Sequence, residues 1–434
     1  MPWDELDETD RSGSYPPELQ GNILRGIHFP HARFLFVAFP SPGDGRAWLQ
    51  RLKVSDAESW DPRPEIAMTV AFTHRGLRAL GVREEILGEF SEAFRAGMRQ
   101  RSAQTRDGAD RTLWDPVFVD GSIHALVSLY GSDKEHPEVL DDEVTRICNL
   151  PGVTRLDVQP AALLPDDKEH FGFRDGISQP IQHDQATEKW VSDVPIGEFL
   201  IFPSRWNDGK SSEKDPGLRL GRLGTYLVYR KLEQRVEEFH RFSRKWPLPP
   251  DLVEAKMIGR WPNGKPVTED YIPPERRQTP DDENGFDFSD DPKGLRCPIG
   301  AHISRVNPRN RIRANEHRIL RRGMPYSEVV GRKDPRRQKE ADERGLVFIA
   351  MNASIENQFE FLQGKWINEP NFNTLDGVDP IVSTTDGKLG NFRFYHGGSS
   401  RPLEQFIRLR GGEYFFVPSI PALEQLAKGE FSST

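Results

Sequence analysis

The sequence predicts an α+β fold built as a pseudo-duplicate, and three observations carry that expectation. Apolar runs of strand length alternate with helix-period segments in the first 165 residues, and a weaker version of the alternation returns after residue 220. Long stretches rich in Pro, Gly, Asp and Lys lie between and after these blocks, at 203–222 and 247–296. No G-x-G-x-x-G and no P-loop is present, so a doubly wound sheet built for dinucleotides or phosphates has no support.

Taken in order, the chain has a polar leader and then ordered sequence from Glu18-Leu19-Gln20-Gly21-Asn22-Ile23-Leu24-Arg25-Gly26. Residues 32–39 are aromatic and apolar except for Arg33 and read as a buried strand, followed by a short helix near Gly45–Lys53. A second strand is expected at 65–72 and a helical stretch at 74–100, broken at Gly81. A strand at 124–130, a helix near 137–149 and a strand near 153–163 complete the first block. In the second block a strand at 225–230 runs into a helix at 231–245, and a strand at 346–351 feeds a helix at 354–366. Two last strands, 405–410 and 413–417, are joined by Gly411-Gly412, which reads as a hairpin turn. The division into two units is placed near residue 200, giving 1–200 and 201–434.

Composition narrows the function. The 434 residues suffice for a large core, hydrophobic residues make up 36%, and no apolar run approaches the length of a membrane span. A net charge of −8 argues against general nucleic-acid binding and leaves the local arginines of 305–322 to be explained. Two cysteines, Cys148 and Cys297, cannot form a disulfide framework, and the absence of C-x-x-C-H excludes covalent c-type haem attachment. The N-terminus is acidic and has neither an apolar core nor twin arginines, so the cytoplasm is the expected compartment, with no membrane partner. Oligomeric state is left unassigned.

Two segments carry the chemistry. His170-Phe171-Gly172-Phe173-Arg174-Asp175-Gly176-Ile177-Ser178-Gln179-Pro180 is punctuated by Gly172, Gly176 and Pro180 and reads as a loop. Its Asp175 is either an Asx-turn residue or an acid/base group held in a pocket. The second segment is Cys297-Pro298-Ile299-Gly300-Ala301-His302-Ile303-Ser304-Arg305-Val306-Asn307-Pro308-Arg309, followed by Arg311 and Arg313. His302 sits in a small, apolar context, as a satisfied core histidine or as a metal ligand. The arginines are either a solvated face or partners for carboxylates. An imidazole ligand with cations for two propionates would suit haem b. Glu316, on a short helix expected to stop at Gly323, is either the carboxylate that orients His302 or a surface partner of Arg318 or Lys333. His317 reads as helix surface.

These segments resemble the dye-decolourising peroxidase family, in the longer branch found in bacteria and fungi. The resemblance rests on the G-x-x-D-G pattern Gly172–Gly176 and on the run 297–309. It is supported by RRGMPY at 321–326, FIAMNASIENQFEFLQGKW at 348–366, GGEYFFVPS at 411–419 and ELQGNILRG at 18–26, so it spans about residues 18 to 420. It implies two ferredoxin-like halves, antiparallel sheets with helices, enclosing haem b. By matching positions, it implies His302 as the axial ligand, Asp175 as the distal acid/base and Arg321 as the distal cation, with Arg322 the competing choice. His170, Arg305 and Arg309 would lie near the propionates, with Gly172 and Gly176 in the cofactor loop and Glu316 as the carboxylate that takes the other N–H of His302. The implied reaction is reduction of hydrogen peroxide with one-electron oxidation of bulky aromatic substrates such as dyes, phenols and lignin-like compounds. An aspartate base implies an acidic optimum, around pH 4–5. Electrons from bulky substrates would arrive through surface aromatics, with Trp190, Trp261, Tyr326 and Trp366 as candidates. The rival readings are a haem carrier or sensor without turnover, and a protein that binds no haem.

Overall fold

The structure is a computed structural model that describes residues 17–23, 26–57, 63–180, 216–267, 284, 286–309, 315–327, 343–394 and 400–432. Trp190, Arg311, Arg313, Lys333 and the expected boundary near residue 200 lie outside the described residues.

The first block forms strand β1 (His31–Ala38), helix α1 (Pro42–Leu49), strands β2 (Ile66–Phe72) and β3 (Ala125–Gly131), helix α2 (Glu138–Cys148) and strand β4 (Thr154–Ala162). α1 starts three residues before the expected position because Ser41 caps it, its hydroxyl accepting from the Asp44 N–H at 3.2 Å, with Pro42 ready-set at the first turn. The stretch 74–105 is a chain of short turns of helix, not one helix broken once. Ser91 and Thr73 cap separate pieces, and Gly97 takes φ 77° between two of them.

The second block forms β5 (Thr225–Gln234), α3 (Val236–Ser243), α4 (Pro250–Ile258), α5 (His302–Val306), β6 (Leu320–Arg321), β7 (Met324–Ser327), β8 (Arg344–Asn352), β9 (Asn391–Arg393), β10 (Ser400–Pro402), β11 (Ile407–Val417) and α6 (Ile420–Lys428). β5 runs four residues past its expected end, because its register with β8 continues to Glu233↔Gly345. That pairing needs the glycine: a Cβ at Gly345 would sit 1.9 Å from the Leu232 carbonyl oxygen. The expected helix ending at Gly323 is one short turn, Asn315–His317, and then strand β6 pairs with β8. Gly411-Gly412 is no hairpin. β11 passes straight through with a bulge between Leu409 and Gly411, and Gly411 at φ 136° lies against the Phe118 ring. Residues 356–367 wind as π-helix, with Glu360 N–H donating to Ile355 O and Asn368 N–H to Gln363 O, both at 2.8 Å.

All pairings in the large sheet are antiparallel, in the order β4-β1-β3-β2-β11-β5-β8-β6, with β7 also on β8. Each half of that order reads 4-1-3-2 when its strands are numbered along the chain, which is the ferredoxin-like arrangement in duplicate. The two halves of the sheet meet at β2 and β11, where Phe416 pairs with Phe72. One face of the sheet is covered by Trp48 of α1, Leu140, Val144 and Ile147 of α2, and Leu423 and Leu426 of α6. On β5 the face that buries Tyr226 and Val228 in that layer turns, further along, to a cavity with Arg230, Leu232 and Gln234.

The seam generates a stability prediction. Phe416 is fully buried, with Phe90, Phe94 and Tyr226 rings 5.0, 6.4 and 6.5 Å away. Phe416→Ala should cost about 3–5 kcal/mol, read as a lower midpoint in urea unfolding; a loss below about 1 kcal/mol would show that the seam depends on other contacts.

Candidate active site

Residues 167–175 form a small hairpin. Lys168 bridges Arg174, the Glu169 N–H donates to Phe173 O at 2.9 Å, and the Asp175 N–H donates to Asp167 O at 3.0 Å. Gly172 and Gly176 take φ 95° and 81°, left-handed values that cost other residues, so the G-x-x-D-G spacing is a backbone requirement. The hairpin sets Asp175 on the wall of a cavity of about 1580 Å³ counted out to its mouth, whose lining includes Arg174, Arg230, Arg260, His302, Arg309, Arg318 and Arg321.

Asp175 Oδ1 accepts from the Gly176 N–H at 2.7 Å and from Arg321 Nη1. Burial pushes this carboxyl up, but the Arg321 guanidinium, the Gly176 N–H and the more distant His302 together outweigh it and hold it below the usual carboxylate range. Gln179 locks the pair in place. Its amide nitrogen donates to Arg321 O at 3.0 Å and its amide oxygen accepts from the Arg321 N–H at 3.1 Å. Arg321, the last residue of β6, lines the cavity and Arg322, just past the strand, does not.

His302 opens α5 and lines the same cavity. Its Nδ1 lies 3.0 Å from Oδ2 of Asp379, whose side chain is fully buried and whose Oδ1 accepts from the N–H groups of Ile381 and Val382, both at 2.9 Å. Burial acts to raise the Asp379 carboxyl, but the His302 ring, Arg305 and the Val382 N–H hold it below its ordinary value. An ionised Asp379 assigns the proton of the ring to Nδ1 and leaves Nε2 as a lone-pair donor. Nε2 has no hydrogen-bond partner among the described residues.

Several expected positions are corrected. Arg305 does not reach the cavity. It is fully buried, donates to the carbonyls of Trp366, Gly377 and Glu369 at 2.7, 2.8 and 2.7 Å, and lies over the Phe372 ring. Burial brings it down to about 10, and its work is to pin the segment that leads into Asp379. His170 is also off the cavity wall, its Nε2 2.8 Å from Tyr326 O, and burial lowers it to about 4, so it is neutral at physiological pH. Glu316 is exposed and off the wall, and Asp379 holds the position beside His302 that was expected of it. Gly172 shapes the hairpin without lining the cavity. His317 is not plain surface: it lines the cavity, stacked 3.7 Å from Phe361. Trp261, Tyr326 and Trp366 are all buried, at 2, 2 and 4% exposure, so none is a surface aromatic.

Arg309 does line the cavity, in the left-handed region at φ 54° and 4.0 Å over the Phe286 ring. Arg318 joins it, a residue that the sequence reading offered only as a surface partner of Glu316. Arg318 is buried, and burial with the repulsion of Arg309 and Arg321 brings it down to about 10. Asp379, Gln179 and Arg318 carried no spacing signal; only the carboxylate of Asp379 amid Val378, Pro380 and Ile381 hinted at a buried role.

The donor set fits haem. An imidazole with a free Nε2 and a carboxylate behind it borders the same cavity as a buried group of arginines that carry repulsion an anion would relieve. Ile258, Ile303, Val306, Phe348, Leu362 and Ile381 supply apolar wall for a flat macrocycle.

Ferredoxin-like halves that bring an imidazole–carboxylate pair and a carboxylate–guanidinium pair to one cavity define the class: a peroxidase of the α+β barrel type. Comparison with known proteins agrees. The DyP dimeric alpha+beta barrel domain matches residues 18–155, and the Dyp-type peroxidase C-terminal domain matches 166–377. A dye-decolorizing peroxidase of Mycena epipterygia is 31% identical over 94% of this chain and 86% of its own length, and msp1 of Mycetinis scorodonius is 30% identical over the same shares. Among solved structures, an ancestral D-type dye decolorizing peroxidase superposes with a TM-score of 0.79 at 28% identity, covering 97% of this chain and all of its own. A fungal DyP-type peroxidase from Auricularia auricula-judae gives 0.82 at 25% identity, covering 96% of this chain and all of its own. The chain belongs to the dye-decolorizing peroxidase family and is a peroxidase.

The His302–Asp379 pair is testable on the protein as purified without cofactor. Asp379→Ala should weaken the affinity for added haem by about 10–100-fold, measured by optical titration; an unchanged affinity would show that the carboxylate does not support the ring.

Proposed function

We propose that the chain is a haem b peroxidase that reduces hydrogen peroxide and oxidises aromatic reductants, dyes and phenols among them, in one-electron steps. The observation that carries this reading is the joint presence of Asp175–Arg321 and His302–Asp379 on one cavity. Among similar structures, one of 25% identity and TM-score 0.75 is a dye-decolorizing peroxidase in complex with 2,6-dimethoxyphenol, which supports phenols as a substrate class.

His302 Nε2 would hold the iron, with the Asp379 carboxylate keeping Nδ1–H in place, and Arg309 and Arg318 would face the propionates. The haem supplies a redox-active iron at which peroxide binds and electrons are taken up and returned. The chain supplies proton transfer and charge. Asp175 Oδ1 is committed to Gly176 and Arg321, which leaves Oδ2 to take a proton from one peroxide oxygen and deliver it to the other, so that water leaves. Arg321 stabilises negative charge that grows as the O–O bond breaks. Arg321 also keeps the carboxyl ionised in acid, where an imidazole base would already be charged.

Two outcomes follow. Asp175→Asn should bind haem within a few-fold of wild type while the peroxide step slows by about 10²–10⁴-fold in stopped flow; an unchanged rate would move the proton transfer to another group. The depressed Asp175 value also sets the pH profile. The base form is present above that value, so peroxide reactivity should persist through pH 5 and be lost only as pH drops below about 4. A complete loss already centred at pH 6 or above would contradict Asp175 as the base.

A further inference from the structure

The cavity wall carries a second carboxyl, Glu169, which the reading above leaves without a task. It belongs to the hairpin that presents Asp175, and its side chain acts as that hairpin's internal template. Oε1 accepts from the Phe173 N–H at 3.0 Å, and Oε2 accepts from the Phe171 N–H at 2.9 Å. A third donor comes from β5, where Gln234 Nε2 reaches Oε2 at 2.5 Å. The other end of the same amide, Gln234 Oε1, is buried with no hydrogen-bond partner among the described residues. An orphan acceptor beside a carboxyl is costly unless a second arrangement uses it.

We propose that Glu169 is a positioning residue for Asp175, and that its grip on the 167–175 hairpin is switched by one proton exchanged between Glu169 and solvent, with Gln234 as the partner that turns over. In the ionised state the carboxylate accepts all three donors. In the neutral state Oε2 carries a hydrogen and donates it, and without the negative charge it is a weaker acceptor for the Phe171 N–H. Rotation of the Gln234 amide by a half turn brings Oε1 to the place of Nε2 and satisfies both groups. The bond that ties Phe171 to the template is weakened, and the turn that joins the two arms of the hairpin, and through it the placement of Asp175, gains freedom. No electrons move; the proton enters from solvent and returns to it.

The surroundings place this exchange in the working range. Burial pushes the Glu169 carboxyl up to about 7, with the neighbouring Asp175 charge adding to the rise against the pull of the three donors. On its own hairpin the charged neighbours are Asp167, Lys168, Arg174 and Asp175. Gln234 faces it uncharged from β5, and Arg230 two positions along that face is already paired with Asp107 at 2.9 Å. From α3, Phe239 packs on Phe171 and Phe173 with ring centres 4.5 and 6.5 Å apart. His170 is held neutral, and Arg344 of β8 acts on it. At pH 5 the cavity thus holds one neutral and one ionised carboxyl, a division of labour typical of acid/base sites.

This inference rests on Asp175 as the acid/base group, but its test stands apart from that reading. In the haem-free protein, the backbone ¹⁵N shifts of Phe171 and Phe173 and the side-chain amide of Gln234 should titrate together between pH 5 and 9, with one midpoint near 7. Glu169→Gln should abolish the titration, and Asp175→Asn should keep it with a lower midpoint. In the haem-loaded enzyme, the peroxide step should show a partial inflection near 7, separate from the complete loss below about pH 4, that Glu169→Gln lacks. Flat shifts in the wild-type protein, or a titration that survives in Glu169→Gln, would overturn the proposal. The wild-type spectrum decides this even if the variant fails to fold. A fast peroxide step in Asp175→Asn would sink the acid/base reading and leave the titration untouched.

Discussion

The ion pair between Asp175 and Arg321 closes a gap of 146 residues in the chain, and the site depends on it. A carboxylate at a cavity wall is driven toward the neutral acid by burial, and a neutral acid cannot take a proton from peroxide. Arg321 reverses that tendency and, in the reaction proposed above, would supply the positive charge that bond cleavage needs. Neither residue is free to wander: Asp175 hangs from a hairpin closed by Asp167 O, and Arg321 lies on a strand of the main sheet with its backbone clasped by Gln179. The hairpin, the glutamine and the strand therefore work as one support for a two-residue device.

A second support has the same logic on the imidazole side. Asp379 is held by two backbone N–H groups and by His302, and the segment before it is clamped by Arg305 through three carbonyls. Using a guanidinium to staple carbonyls is expensive in desolvation, and burial lowers Arg305 accordingly. The return is a rigid loop under the ring that would bind iron. Arg230 is treated in the opposite way: on the cavity wall its charge is cancelled by Asp107, with Thr384 and Asn368 completing the network. Arg309 and Arg321 repel Arg318 on the remaining wall, and in the proposed haem complex the anionic rim of the cofactor would relieve that repulsion.

Most strands were legible because β1, β2, β3 and β8 are dense in apolar and aromatic side chains, a local property. The duplicated α+β plan followed from that alternation and its ferredoxin-like halves from the family resemblance, while the 4-1-3-2 order is seen only in the sheet. Failures came where pairing overrode local preference. β5 outran its expected end because β8 offers Gly345 opposite Glu233, and Gly411-Gly412 made a bulge because β5 pairs on both sides of it.

The sequence alone determined which chemistry was available: a carboxylate between two glycines that need positive φ, a histidine in an apolar setting, and a surplus of arginines. It could not say which arginine meets which partner. Arg305, Arg309, Arg318, Arg321 and Arg322 are alike as local text, and only the fold sends the first to carbonyls and the next three to the cavity while leaving the last off its wall. Asp379 was hidden for the same reason, 77 residues from the histidine it holds. Backbone conformation is written in nearest neighbours, whereas a buried charge is defined by groups far away in the chain, and those meet only when the sheet closes.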